Sequence, residues 1–366
     1  MTQGRLSFRG AFFLIVAAEV SAVTLSGLFG ESGADGWISI LLAALPAIPL
    51  ILVFSRLCAL MPGKSLPEMA GLQFGRAGEI IAGAVYGCFF IILTAAMLSG
   101  YTGFIHLAAL PRTGPAIICL VFLSLCACLC RGGSETMGKW SAITGVLFLV
   151  ILAGLIAFSA ENIKPGNLMP VFTTSAETLA AEGLRIFALT HGELVLILFF
   201  AGDFAGDIKP QRLFWGALGF GLILALIVFF HNCAVLGPYT AASALFPLYR
   251  AASVIDAGGI GIRLETLVAL AFMLIGITKT AAVLMAGARA LSRAVRPAGV
   301  GAPLKLTVPA GFLAAALAVS ALGGDAEKGE LARRFLPAFI LAPGALLPLP
   351  LWISAEIKKK RAGKKT

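Results

Sequence analysis

Leu184-Arg185-Ile186-Phe187-Ala188-Leu189-Thr190-His191-Gly192-Glu193-Leu194-Val195-Leu196-Ile197-Leu198-Phe199-Phe200 is an apolar run with a hydroxyl, an imidazole, a glycine and a carboxylate near its centre. A run of this length and hydropathy suits a bilayer-spanning helix. A carboxylate at membrane depth costs about 2.5–3.5 kcal/mol on insertion scales, so it faces a site or a cavity rather than lipid. The adjacent Gly192 favours a break in the helix, which would leave backbone groups free to hold a ligand. The stretch reads as part of a solute-binding membrane protein, not as an inert anchor.

The rest of the chain agrees. Of 366 residues, 59% are hydrophobic and 13% charged, where soluble domains average about 25% charged. Mean hydropathy is +0.96. The apolar stretches are too long for transmembrane strands, which alternate over about ten residues. Helices close their own backbone hydrogen bonds, as hydrocarbon requires. The expected fold is an all-α integral membrane bundle.

A net charge of +10 is densest in Lys358-Lys359-Lys360-Arg361, Lys364 and Lys365. A basic tail directly after a span reads as an anchor at anionic headgroups, not as a nucleic-acid site. All seven cysteines lie in apolar stretches. Cys126, Cys128 and Cys130 share one stretch with no second ligand cluster, so they read as packing residues and no metal is expected. Phosphate-cradling loops and nucleophile–base sets are missing from the sequence, so neither an enzyme nor a cofactor is expected. The run after Arg5 and Arg9 reaches about residue 29 and contains Glu19. That is too long for a signal peptide and reads as a retained first span.

Ten apolar stretches follow one another, at about 8–29, 37–58, 80–107, 115–130, 140–159, 184–200, 213–236, 264–288, 308–322 and 335–353. They form one transmembrane domain over 1–366, with halves at 8–159 and 183–355 and a basic tail at 356–366. With the N-terminus cytoplasmic, most Lys and Arg fall on that side. The other side holds only Arg112, Lys164, Arg250, Arg263, Lys328, Arg333 and Arg334. Both termini are therefore expected inside. Ser65-Leu66-Pro67-Glu68 is a capping-box pattern opening a short helix to about Phe74. Phe246-Pro247-Leu248-Tyr249-Arg250 opens another on the outer side, either a lid over a central site or a structured loop.

The first stretch reads Ala18-Glu19-Val20-Ser21-Ala22-Val23-Thr24-Leu25-Ser26-Gly27. Glu19 stands roughly 16 Å along a helix from Phe8, near the midplane. Glu193 has comparable depth. Interruptions in the leading span of each half point to a midplane binding site.

Several segments, in this order, resemble the spore-germination permease family, the B subunits of germinant receptors within the amino acid–polyamine–organocation superfamily. They are Asp35-Gly36-Trp37-Ile38-Ser39, Pro62-Gly63-Lys64-Ser65-Leu66, Gly192-Glu193-Leu194-Val195, Ala234-Val235-Leu236-Gly237, Phe246-Pro247-Leu248 and Arg263-Leu264-Glu265, with Lys279 deeper in the same span. The resemblance implies a leucine-transporter-like bundle of ten helices in five-plus-five inverted repeats. Its first and sixth helices are broken around an amino acid, and its third and eighth complete the pocket. It also implies a nutrient sensor in the spore inner membrane, acting with A and C subunits. Phe272 and Met273 occupy a region where that family often carries tryptophan, and His191 is not part of its pattern.

Candidate ligand contacts are Ser21, Ala22, Thr24 and Gly27 in the first stretch and Thr190, His191 and Gly192 in the sixth. Small residues of this kind also serve close helix packing. Thr94 and Tyr101 in the third stretch are candidates for a pocket wall, and Thr278 and Thr280 in the eighth for ligand contact. Glu193 reads either as a cap on the second half of a broken helix or as an interhelical hydrogen-bond partner. Lys279 lies too deep to snorkel and needs a partner. Glu19 is one candidate, with the ammonium taking the place of a coupling cation. The expected function is sensing of a small amino acid-like germinant. The alternative is an amino acid secondary transporter.

Overall fold

Proline and glycine punctuate this chain, and the helices start and stop where they fall. The computed structural model describes residues 5–25, 32–255, 263–295, 303–322 and 335–362. The first half is built from α1 (Phe8–Leu25), α2 (Gly36–Leu60), α3 (Leu66–Ala108), α4 (Pro115–Arg131) and α5 (Gly133–Phe158). The second half opens with α6 (Ala176–Thr190), which passes into a 3₁₀ segment, Gly192–Phe199. Then come α7 (Pro210–Leu236), the short α8 (Pro238–Ser243) and α9 (Pro247–Ser253), α10 (Leu264–Val295) and α11 (Pro303–Leu322). The last, α12 (Phe335–Arg361), contains a π-helical turn at Ala342–Leu346. Proline stands in the first turn of α3, α4, α7, α8 and α9, where its missing N–H costs nothing and its fixed φ suits a helix.

Over its described residues, each predicted stretch falls on a helical segment. Six helices among the described residues are long and apolar enough to cross a membrane: α2, α3, α5, α7, α10 and α12. The others are shorter or broken, so length and composition support six crossings and not, by themselves, the expected ten. No strand occurs among the described residues, only an isolated bridge between Leu6 and Phe204.

The two short helices expected in the connections are both present. Glu68 accepts from the N–H and the hydroxyl of Ser65, each at 2.8 Å, which starts α3 as the capping pattern predicts. The short helix then bends into the long span at Gly75, with φ 72° and ψ −170°, a backbone that only glycine adopts without strain. The outer connection holds two short helices rather than one, because Gly237, at φ 81°, turns the chain directly into α8.

The expected interruption of the first helix is not found through Leu25. α1 is regular over Phe8–Leu25, including Glu19 and Ser21, and Ser26–Glu31 lie outside the described residues. The sixth element does break. His191 closes α6, and the chain runs on as eight residues of 3₁₀ helix. Runs that long are uncommon and mark strained or hinge-like positions. The cause is tertiary. Gly192 sits against Ile340, and the backbone of Gly344 in the π-turn of α12 packs onto the Gly192 carbonyl. A side chain at Gly344 would drive the two apart, and one at Gly192 would press on Ile340. The π-turn itself contains Pro343, whose carbonyl accepts from the Tyr86 hydroxyl at 2.8 Å.

Small residues set the other crossings, as packing within lipid favours. Gly10 on α1 meets Gly138 on α5, and the Ser141 hydroxyl donates to the Gly10 carbonyl at 2.8 Å. Gly83 and Gly87 on α3 lie against Ala290, Leu291 and Ala294 of α10.

Candidate functional site: a cavity between α1, α3, α6 and α10

The break in α6 and the deep lysine meet at one cavity. Its volume is about 300 Å³, at the small end of the range for small-molecule sites, about 300–1,000 Å³. Ser21 and Ala22 come from α1, Tyr101 from α3, Arg185 and Leu189 from α6, Glu193 from the 3₁₀ segment and Lys279 from α10. Ala242 to Leu245, at the end of α8, cover one side. The outer connection thus contributes to the wall, although through the end of α8 and not through the Phe246–Arg250 segment, for which lid and structured loop are the two readings.

Lys279 is buried, and its ammonium lies 2.5 Å from Glu193 Oε2. It also donates to the Ala18 carbonyl at 3.0 Å. The lysine therefore braces α10 against both α1 and the 3₁₀ segment. Its carboxylate partner is Glu193, not Glu19. The reason is geometric: the break at His191 turns Glu193 toward α10, whereas Glu19 points to the α7 side. Glu19 lies against Gly221, whose lack of a side chain makes room for the carboxylate. Its Oε1 is 3.5 Å from His191 Nδ1, an ion pair only when the imidazole is protonated.

The structure sorts the expected contacts. Ser21, Ala22 and Tyr101 line the cavity together with Glu193 and Lys279. Tyr101 is held by close packing, since its ring lies where a side chain at Gly276 would be. Thr94 is buried but donates to the Phe90 carbonyl at 2.7 Å; its neighbours Leu93, Ala96 and Met97 form the wall instead. Thr190 donates back to the Ile186 carbonyl at 2.7 Å. His191 faces Glu19, and Gly192 packs on α12. Thr278 bonds Thr144 at 3.2 Å and the Leu274 carbonyl at 2.8 Å. Thr280 is buried away from the cavity, with no hydrogen-bond partner for its hydroxyl among the described residues. The expectation that Thr94, Thr190, His191, Gly192, Thr278 and Thr280 touch a ligand does not carry over to this cavity. Each of them lies on a helical face other than the one that lines the cavity, about 100° away for every residue of offset. The Thr24 side chain and all of Gly27 lie outside the described residues.

Arg185, the second residue of the sixth apolar stretch, is not among the candidates read from the sequence. Arg185, Leu189 and Glu193 are spaced i, i+4, i+8, which puts them along one helical face. All three line the cavity. That spacing, counted back from Glu193, was the available signal.

The end of the bundle beyond Lys279 is tied together by a polar cluster. Arg289 Nη1 is 2.6 Å from Asp203 Oδ2 and donates to the Phe199 carbonyl at 3.0 Å. Its guanidinium also lies over the Phe200 ring, 4.8 Å from the centroid. Ser134 joins Arg289 and Asp203. Leu6 donates to the Asp203 carbonyl at 2.7 Å and accepts from Ala205 at 3.0 Å.

Comparison with solved structures places this architecture among transporters. A substrate-bound, outward-open Na⁺-coupled sialic acid symporter superposes with a TM-score of 0.67 at 15% identity, covering 94% of this chain and 80% of that one. Mhp1, a nucleobase-cation-symport-1 family transporter in a closed conformation with bromovinylhydantoin bound, gives 0.70 at 13% identity, covering 96% and 78%. MhsT in complex with L-phenylalanine gives 0.63 at 13% identity, covering 94% and 87%. The chain therefore has the leucine-transporter-like fold. Among curated sequences, Spore germination protein KB of Bacillus subtilis (strain 168) is 24% identical over 370 residues, 100% of this chain and 98% of that protein. Putative spore germination protein YfkT of the same organism is 25% identical over 242 residues. That match spans 66% of this chain and 65% of YfkT. The profile described as Spore germination protein matches residues 5–298. With the profile covering most of its length, the chain belongs to the spore germination protein family of transporter-like membrane proteins.

Proposed function

We propose that this protein is the germinant-sensing B subunit of a spore germinant receptor, binding a small amino acid-like nutrient in the cavity between α1, α3, α6 and α10. The observation that carries the reading is the cavity itself: about 300 Å³, with a buried Lys279–Glu193 pair in its lining, beside a broken helix. A purely structural bundle has no reason to keep such a space. Family and fold point to a non-enzymatic membrane protein.

In this reading the ten helical stretches all cross the membrane, in five-plus-five inverted repeats, with both termini cytoplasmic. The protein sits in the spore inner membrane with A and C subunits. Ligand shifts the bundle between two arrangements that the partners read, and it does so only through unequal affinity for them. Lys279 supplies the positive charge that a coupling cation would otherwise bring, so binding is independent of sodium.

The transporter fold itself favours a second reading, an amino acid secondary transporter. Reconstitution separates the two. A sensor binds labelled amino acid in proteoliposomes without filling the lumen, whereas net uptake above protein-free vesicles assigns the carrier function. Absence of saturable binding to any of the common amino acids would overturn both.

A further inference from the structure

We infer that Arg185 is the carboxylate-binding residue of this cavity, so that the ligand is a carboxylate-bearing solute and not an amine, sugar or neutral amide. The inference rests on the proposed role of the cavity as the solute site. Three charged side chains line that space: Arg185, Glu193 and Lys279. Glu193 and Lys279 face each other at 2.5 Å and cancel. Arg185 is left over, and the lining carries one net positive charge. Glu182, one turn earlier, is not part of the lining.

The guanidinium is also incompletely bonded. Among the described residues Arg185 has no ion pair, and its buried Nε has no hydrogen-bond partner. Leaving a buried charged donor unmet costs more than leaving a neutral one unmet, which is about 1–3 kcal/mol. A long arginine escapes that cost by reaching water or headgroups, yet here the Nε is enclosed. A planar fork of N–H donors is complementary to a carboxylate, which accepts two parallel hydrogen bonds from it.

The remaining walls fit such a ligand. Leu93, Met97, Leu189, Leu245 and Leu336 surround the polar positions, so a carboxylate at Arg185 leaves an apolar substituent against leucine and methionine. Apolar walls with a few placed polar groups are the usual composition of a small-molecule site. Arg185 also sits one helical turn from Leu189 and two from Glu193. A ligand held there bears directly on the half of the sixth element that precedes the break.

The test uses the full chain purified in detergent. The probes are the common L-amino acids and the carboxamide of each, with binding read by thermal shift and calorimetry. The unmutated protein is expected to bind at least one amino acid about tenfold or more tighter than its carboxamide, the discrimination that one charge-assisted pair supplies. Arg185→Gln is expected to bind acid and amide alike. Arg185→Lys, which keeps the charge without the fork, is expected to retain a reduced preference, and it serves as the reporter should the glutamine variant fold poorly. An amino acid that binds equally well as its amide overturns the inference and leaves the sensor reading standing. So does a preference unchanged in both variants. Failure of the unmutated protein to bind any probe overturns the sensor reading, and this inference with it.

Discussion

Lys279 and Glu193 show how one buried pair both shapes a site and holds helices together. Each is almost inaccessible, so neither charge is solvated once the other is removed. Breaking a buried pair from one side costs about 3–5 kcal/mol, because the survivor stays desolvated. Lys279→Met is therefore expected to lower the unfolding temperature sharply in detergent. Combining it with Glu193→Gln should recover most of the loss, since both charges are then gone. A single variant that melts like the unmutated protein would show that the pair does not stabilise the fold. A double variant no better than the single would show that the stranded charge is not the cause of the loss. Asp35 is a second such residue, at the start of α2. Its carboxylate accepts from the N–H groups of Phe172, Thr173 and Thr174 at 2.6, 2.8 and 2.9 Å. Hydrogen bonds to a charged group contribute about 1.5–3 kcal/mol each. Asp35→Asn is expected to cost about that much in stability and to speed proteolysis of the loop between α5 and α6, measured by digestion of the folded protein. Polar residues stranded in apolar sequence announce themselves, and Glu193, Lys279 and Tyr101 were legible for that reason. Arg185 was not, because arginine near a predicted span end reads as a headgroup anchor until its neighbours are known.

At the level of elements, backbone proximity decides more than side-chain size. A methyl added at Gly83 would come 2.7 Å from the Ala290 carbonyl and 2.8 Å from the Ala294 nitrogen. Neither is the end of a flexible side chain. Overpacking of this kind costs about 1–3 kcal/mol. Gly83→Ala is thus expected to destabilise the protein measurably, while Gly154→Ala, with open space around its added methyl, should not. Equal unfolding temperatures for the two variants would mean that α3 and α10 separate at no cost. The break after α6 follows the same logic. Gly192 permits it, and the close approach of α12 is possible because Gly344 has no side chain to strike the Gly192 backbone. α1, with a comparable mixture of small and polar residues, remains helical as far as Leu25, although the α5 backbone packs closely on it at Gly10.

For the molecule as a whole, the cavity and the tied end are coupled through α10, which carries Lys279 at one and Arg289 ten residues on, about 15 Å along the helix, at the other. Arg289→Gln removes the ion pair to Asp203. Exchange of the Leu6 and Ala205 amides, both in the bonded crossing at that end, is expected to quicken about tenfold, equivalent to about 1.4 kcal/mol of local stability. Unchanged protection would show that the crossing holds without the arginine. Sodium provides the second whole-molecule prediction. With an ammonium already bracing α1 and α10, ligand-induced stabilisation should be the same in sodium as in potassium. At a ligand concentration of 100 times Kd, that stabilisation is about 2.7 kcal/mol. A larger shift in sodium alone would place a cation in the mechanism.

The amino-acid sequence by itself determined that this is a helical membrane protein, where its helices lie to within a few residues, and that charge is buried beside a glycine in the sixth. Those are consequences of hydropathy, helix-opening prolines and the cost of charge in hydrocarbon, all local to the chain. Which helical face meets which neighbour is not local. Only the tertiary arrangement paired Lys279 with Glu193, turned Thr190 and Thr278 away from the cavity, left α1 unbroken to Leu25 and brought Arg185 to an apolar hollow. A rotation of 100° per residue separates a wall of the site from a packing surface, and that angle is set by contacts between segments far apart in sequence.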